Sequence, residues 1–345
     1  MRAFALLLIG LALPAGATEL VFVGDVSFAG RAPPRTWTQG DNPLSAFAEV
    51  FREADLAVAN AEGLLTTERP AAYAEKRLDI GASPAWARAF REAGIDLVGL
   101  ANNHTWDGGA SGLLENARAL ADTKVSLFGA AETAAHAEAA FRLPGAPACV
   151  AIVPATLKSN RPPRRGAAAA YYPGAAGLQR LTRAVSALRD EGCAVLVSVH
   201  WGREGVHYPP SDVRAAAHAL VDAGARVVVG HHPHVLQGVE FRRPPGCDSP
   251  QCTAAIAYSL GNFVFWNRDP RKTETGVLSV RLSAKGALER LALRPARISG
   301  PNLRPKPVVG ADAERFLTRV APYSEPFGTR VTLSGGVLLF EPPPP

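Results

Sequence analysis

Short apolar runs rich in valine, most of them closing on a polar residue, alternate with amphipathic stretches through most of this sequence. The runs are "ELVFVGD", "LAVANAEG", "IDLVGLANNH", "VSLFGA", "AVLVSVHWG" and "ARVVVGHH". Between them, "SPAWARAFREAG", "GASGLLENARALADT", "GLQRLTRAVSALRDEG" and "PPSDVRAAAHALVDAG" carry apolar residues at helical spacing and stop at glycine or another turn residue. Such an alternation predicts an α/β fold. After residue 253 the helical signal fades. There "AAIAYSLGNFVF", "ETGVLSVRLSA" and "LERLALRPARIS" predict strands joined by tight turns, an antiparallel region following the α/β part. No composition break separates the two, so one domain over 18–300 is expected. A proline-rich extension over 301–345 follows, with one helix-like piece, "GADAERFLTRVAPY", and a strand-like "GGVLLFE".

The composition, 47% apolar and 20% charged over 345 residues, is that of a globular chain with a full core. Its start, "MRAFALLLIGLALPAGATEL", has an early arginine, an apolar core and a small-residue site, and predicts a signal peptide over 1–17. No later stretch approaches about 18 uninterrupted apolar residues. The mature chain is therefore expected to be periplasmic or secreted, without a membrane span. Export makes disulfides possible. Cys247 and Cys252, in the turn-rich "PGCDSPQCTA", are expected to close a small loop. Cys149 and Cys193 each sit near the start of a strand-like run, where buried thiols and a second bridge fit equally. The net charge of +6 is scattered, and the basic "NRPPRRG" has prolines and no interleaved aromatics. A solvated loop, not a nucleic-acid surface, is the expectation; an anionic polymer or a small anionic substrate is compatible.

The rare polar residues fall at the ends of the predicted strands: Asp25, Asn60 and Glu62, Asn102 to His104, His200, and His231, His232 and His234. Ligands of α/β sheets bind beyond the carboxyl ends of strands. Each residue alone has an ordinary reading as a cap, a turn or a satisfied edge histidine. Together they are costly unless they satisfy one another or share an ion. Imidazole with carboxylate and amide oxygen suits manganese, iron or zinc, and one or two such ions would support metal-assisted hydrolysis. The cysteines lack the spacing of a zinc cage. No Gly-x-Ser-x-Gly elbow, Gly-x-Gly-x-x-Gly turn or Walker lysine loop occurs. His207, in "WGREGVHYPP", lies in a loop near a strand end, within reach of a substrate.

"VGDVSFAG", "NAEGLLT", "GLANNHTWDGG", "VSVHWGREGVHYPP", "VVVGHHPHVLQGVE" and "AYSLGNFVF" resemble, in order and phrasing, the CapA capsule-synthesis or poly-γ-glutamate synthesis family over about residues 20–268. That family is similar to the calcineurin-like metallophosphoesterases. The resemblance implies their four-layer α/β/β/α sandwich, two facing sheets flanked by helices. It also implies metal ligation by Asp25, Glu62, Asn103, His200, and His231 with His234 or His232. His104 and Asn103 become the catalytic pair, His104 as acid or electrostatic stabiliser. Arg203, Lys76, His207 and Asn262 are the substrate-binding candidates. Gly-Asp-Val-Ser lacks the histidine that phosphoesterases place two residues after the aspartate, and Asn-Ala-Glu replaces their Gly-Asp-x-x-Asp pattern. The family implies synthesis or processing of an anionic extracellular polymer. The rival expectations are a periplasmic phosphoesterase and a polymer-binding assembly factor without catalysis.

Overall fold

A computed structural model describes residues 16–29, 42–67, 81–161, 163, 165–265, 267, 269–299 and 304–343. Residues 1–15 of the expected signal peptide lie outside the described residues, as does Lys76. Among the described residues no helix is long and apolar enough to cross a membrane.

The alternation resolves into two sheets. The first part of the chain supplies β1 (Thr18–Val26), β2 (Leu56–Ala61), β3 (Leu97–Gly99) and β4 (Ser126–Phe128), with α1 (Ala48–Glu53), α2 (Ala87–Ala93) and α3 (Gly109–Ala121). The chain then changes sheet. It forms β5 (Phe141–Arg142), β6 (Val150–Thr156), β7 (Ala194–His200), β8 (Ala225–His231), β9 (Val239–Arg242) and β10 (Ala254–Ala257), with α4 (Gly174–Asp190) and α5 (Ser211–Ala223). It returns through β11 (Asn262–Val264), β12 (Glu274–Leu282), β13 (Leu288–Ser299), β14 (Arg304–Pro307), α6 (Ala311–Val320), β15 (Arg330–Ser334) and β16 (Val337–Glu341). The first sheet runs β15-β16-β13-β12-β1-β2-β3-β4, with β11 on β1 and β14 on β13; the second runs β9-β10-β8-β7-β6-β5.

Side chains alternate across each strand, and the two faces go to different layers. Leu20, Phe22, Leu56 and Val58 meet Ile152, Leu196, Val227 and Val229 between the sheets. Val21, Val23, Ala57 and Ala59 face α1, α2 and α3 through Phe51, Phe90 and Leu113. On the far side, Val195, Val197, Val199 and Val228 face α4 and α5 through Leu181, Val185, Val213 and Leu220. The result is the four-layer α/β/β/α sandwich. Buried on both faces, its central strands read as continuous valine runs in the sequence. Each such side chain contributes about 1.5–3 kcal/mol on burial.

Two expectations need correction. "AAIAYSLGNFVF" does not open a purely antiparallel region: β10 is antiparallel to β9 but parallel to β8, and β11 runs parallel to β1 in the other sheet. In that first sheet the antiparallel pairing begins at β12. The extension set apart in the sequence is, over its described residues 304–343, not a separate appendage, because β14 and β16 pair with β13. Phe316 and Val320 of α6 enter the core between the sheets. Both expected and open cysteine pairs are joined, Cys247 to Cys252 and Cys149 to Cys193.

Candidate metal centre

The carboxyl ends of the parallel strands of both sheets meet at one place. Asp25 near the end of β1 stands beside Asn60 of β2 and Asn262 of β11. His200 closes β7 beside His231, which closes β8. The segment from β10 to β11 crosses between them at close range. A Cβ on Gly24 would lie 2.0 Å from the Gly261 carbonyl oxygen, and one on Gly230 would lie 1.9 Å from that of Tyr258. Glycine before Asp25 and before His231 is thus what lets the two sheets bring their ligand residues together.

Glu62 lies at the centre, fully buried, and neither carboxylate oxygen has a hydrogen-bond partner among the described residues. Imidazole nitrogens face its Oε1 instead: Nε2 of His234 at 3.6 Å, of His200 at 3.7 Å and of His104 at 3.8 Å. Two sets of three donors share Glu62, one with His200 and His232 and the other with Asp25 and His234, the atoms of each set within 4.8 Å of one another. Asn103 Oδ1 lies 2.8 Å from His200 Nε2, which is 3.1 Å from His232 Nδ1. A buried carboxylate without a partner is costly, and a divalent cation removes that cost. The mixture of imidazole nitrogen with carboxylate and amide oxygen suits manganese, iron or zinc. These residues fit such ions, and the shared carboxylate fits a pair.

The charges are arranged accordingly. Burial, followed by the charge of Asp25, holds the Glu62 carboxyl well above the usual range. Burial would raise Asp25 too, but the His231 and His234 imidazoles overcome it and hold Asp25 well below. Asp25 also accepts from Asn60 Nδ2 at 2.8 Å and from the His232 backbone N–H at 3.2 Å. Burial and then His232 keep His200 well below its ordinary value. Burial, then the charges of His234 and Lys158, push His232 down to about 4. Both rings are neutral at pH 7, the form that ligates metal.

Neighbouring groups aim the rings. His234 Nδ1 donates to Asn262 Oδ1 at 2.8 Å, which leaves Nε2 toward Glu62. His104 Nδ1 donates to Asp107 Oδ2 at 2.6 Å. His232 and His234 hold φ of 95° and 59°. This left-handed conformation costs a non-glycine residue about 1–3 kcal/mol and persists where the surroundings over-determine it.

Comparison with known proteins places this geometry. The family described as "Bacterial capsule synthesis protein PGA_cap" matches residues 19–267. The chain belongs to the PGA_cap family. Among its relatives, "Capsule biosynthesis protein CapA" of Bacillus anthracis is 28% identical over 263 residues, 72% of this chain and 58% of that protein. The chain thus matches less than two thirds of that relative's length. "PGA biosynthesis protein CapA" of Bacillus subtilis is 26% identical over 269 residues, 77% of this chain and 68% of that one. Among solved structures, a purple acid phosphatase from yellow lupin (Lupinus luteus) covers 81% of this chain and 51% of its own, with 12% identity and a TM-score of 0.39.

In this PGA_cap chain Asp25, Glu62, Asn103, His104, His200, His231 and His234 all converge on the centre. His231 Nδ1 lies 3.4 Å from Asp25 Oδ1 without a hydrogen-bond partner and stands outside both three-donor sets. His232 and His234 fall one in each set. Asn262 is not at a substrate surface: it is fully buried, its Oδ1 taken by His234 and its Nδ2 by the Lys272 carbonyl. Its role is to position His234. His207 is half-buried, its Nδ1 3.1 Å from the Leu236 carbonyl oxygen and its ring stacked on Tyr323. Arg203 is exposed in the loop after β7. Asp107, three residues beyond His104 in "NNHTWDGG", is the His104 partner that strand-end reasoning misses; a carboxylate at that spacing was the available signal.

Proposed function

We propose that this PGA_cap protein is an exported, metal-dependent hydrolase that processes an anionic extracellular polymer of the poly-γ-glutamate kind. Its Bacillus relatives, a capsule biosynthesis protein and a PGA biosynthesis protein, support the polymer class. The observation that carries the hydrolytic reading is the unpaired, buried carboxylate of Glu62, shared by two donor sets at the strand ends. Asp25, Glu62, Asn103, His200, His232 and His234 would hold divalent ions, which would supply Lewis acidity and an activated water.

His104 is the ring open to the outside: its side chain is 16% exposed, against 1% for His200 and 6% for His234. Asp107 takes its Nδ1 proton in a hydrogen bond, so Nε2 is the atom that exchanges a proton with the substrate's leaving group. Asp107 itself is steadied by Arg161 Nε at 3.4 Å from Oδ1. The two disulfides and the signal-like start support an oxidising compartment outside the cytoplasm.

The test is turnover of a γ-linked glutamate oligomer and of an aryl phosphate by manganese-loaded protein. The expected result is cleavage of the γ-glutamyl amide, reduced about 10²- to 10⁴-fold in His104→Ala at unchanged metal content. Cleavage of the phosphate ester alone favours the phosphoesterase reading, to which a shared carboxylate between two ions is equally suited. Cleavage of neither, with His104→Ala matching wild type in cells, leaves the assembly-factor reading.

A further inference from the structure

The loop after β6, "LKSNR" at 157–161, belongs to the site although its sequence reads as surface. Its backbone is tied to both ligand-bearing loops: Leu157 N–H donates to the His200 carbonyl and Asn160 N–H to the Asn103 carbonyl, each at 3.0 Å. Thr156 Oγ1 closes a turn around Lys158, donating to its carbonyl at 2.7 Å and accepting its N–H at 3.2 Å. Asn160 Nδ2 reaches to 3.4 Å from His104 Nδ1. The loop is built onto the catalytic face.

The cations around the site differ in how they are neutralised. Lys272 pairs with Glu204 at 3.1 Å, Arg161 with Asp107 and Arg271 with Asp269. Lys158 is half-buried, and among the described residues no carboxylate pairs with it. Its Nζ donates one hydrogen bond, to the Gly202 carbonyl at 2.9 Å, which leaves two of three N–H donors unused. A part-buried ammonium with spare donors, on a braced turn bonded to the His200 backbone and close enough for its charge to act on His232, has the chemistry to hold an oxyanion.

Resting on the hydrolase reading, the geometry points to Lys158 as the residue that binds an anionic group of the substrate next to the reacting bond. The ligand class is an oxyanion, either the α-carboxylate of a γ-linked glutamyl unit or a phosphate. The charge sits on the β6 loop and not on the exposed Arg203.

The experiment is calorimetric titration of metal-loaded wild type, Lys158→Gln and Lys158→Arg with inorganic phosphate and with a γ-linked glutamate oligomer, with metal content measured on each. Glutamine keeps a donor for Gly202 and removes the charge. Wild type is expected to bind at least one probe. Lys158→Gln should bind it about tenfold more weakly or worse, while Lys158→Arg keeps most of the affinity. Binding of the oligomer alone identifies the carboxylate source, and of phosphate alone the phosphoryl source. Equal affinity of Lys158→Gln and wild type, or no binding of either probe by wild type, overturns the assignment while leaving metal binding intact. If wild type holds no metal, the hydrolase reading falls, and the same titration of metal-free protein decides Lys158. If Lys158→Gln does not fold, salt takes its place: an anion affinity of wild type that is indifferent to ionic strength also overturns the assignment.

Discussion

Asp25 and Glu62 are carboxylates in one buried centre, displaced in opposite directions: burial would raise both, but the His231 and His234 imidazoles hold Asp25 down, while burial and then the charge of Asp25 hold Glu62 up. Asp25 also accepts from Asn60 and the His232 backbone, whereas neither Glu62 oxygen has a hydrogen-bond partner among the described residues. The imidazoles make metal-free stability depend on pH. His232, pushed from 6.5 to about 4 by burial first, and His200, also lowered, are neutral when folded but take protons when unfolded. Their contribution is present above pH 6.5 and is lost as pH falls toward 4, because the unfolded chain then binds more protons. Thermal melts of chelator-treated protein should show a falling midpoint across that window, with a shallower fall in His232→Asn. Asn262→Leu should lower metal affinity about 10- to 100-fold with little change in fold, read by metal titration, because it frees His234 to turn. The ligand residues were legible as polar ends of apolar runs. Their arrangement was not: "GHHPH" offers three rings, and it is His232 and His234, both in the left-handed conformation, that stand in the groups sharing Glu62.

At the scale of elements, the helices are legible because their ends are marked. Ser83 caps the turn that leads into α2, and Gly94 and Gly224 close α2 and α5 in the left-handed conformation. The crossing segment between β10 and β11 is illegible, since "AYSLGNFVF" reads as one mostly apolar run although its two halves go to different sheets. What the sequence does hold is the glycine at each crossing. Gly24→Ala and Gly230→Ala are each expected to destabilise the protein by about 1–3 kcal/mol or more in denaturant unfolding, since backbone must move to admit the Cβ. Metal affinity should fall with them. The β6 loop shows the limit of composition: its cations read as solvated, yet the loop backbone is bonded to His200 and Asn103, with Lys158 Nζ on the Gly202 carbonyl and Arg161 on Asp107.

For the whole molecule, alternation establishes α/β but leaves open which strands share a sheet, because every buried strand presents the same valine pattern. Register and closure come from long-range pairing, including that of β16 with β13. The same pairing makes the C-terminal region part of the core. Phe316→Ala is expected to cost about 3–5 kcal/mol, and truncation after residue 300 to leave no cooperative unfolding transition in calorimetry. The fold in turn exists, at its strand ends, to gather two donor sets around one carboxylate. The most direct test is metal stoichiometry by elemental analysis, with the melting temperature followed on addition of manganese or zinc, for wild type and Glu62→Gln. Wild type should retain one or two divalent ions per chain and melt higher when loaded, whereas Glu62→Gln should lose both the metal and the shift while folding without it. A wild-type protein that binds no divalent metal, or a Glu62→Gln protein that binds it as tightly, would contradict the account.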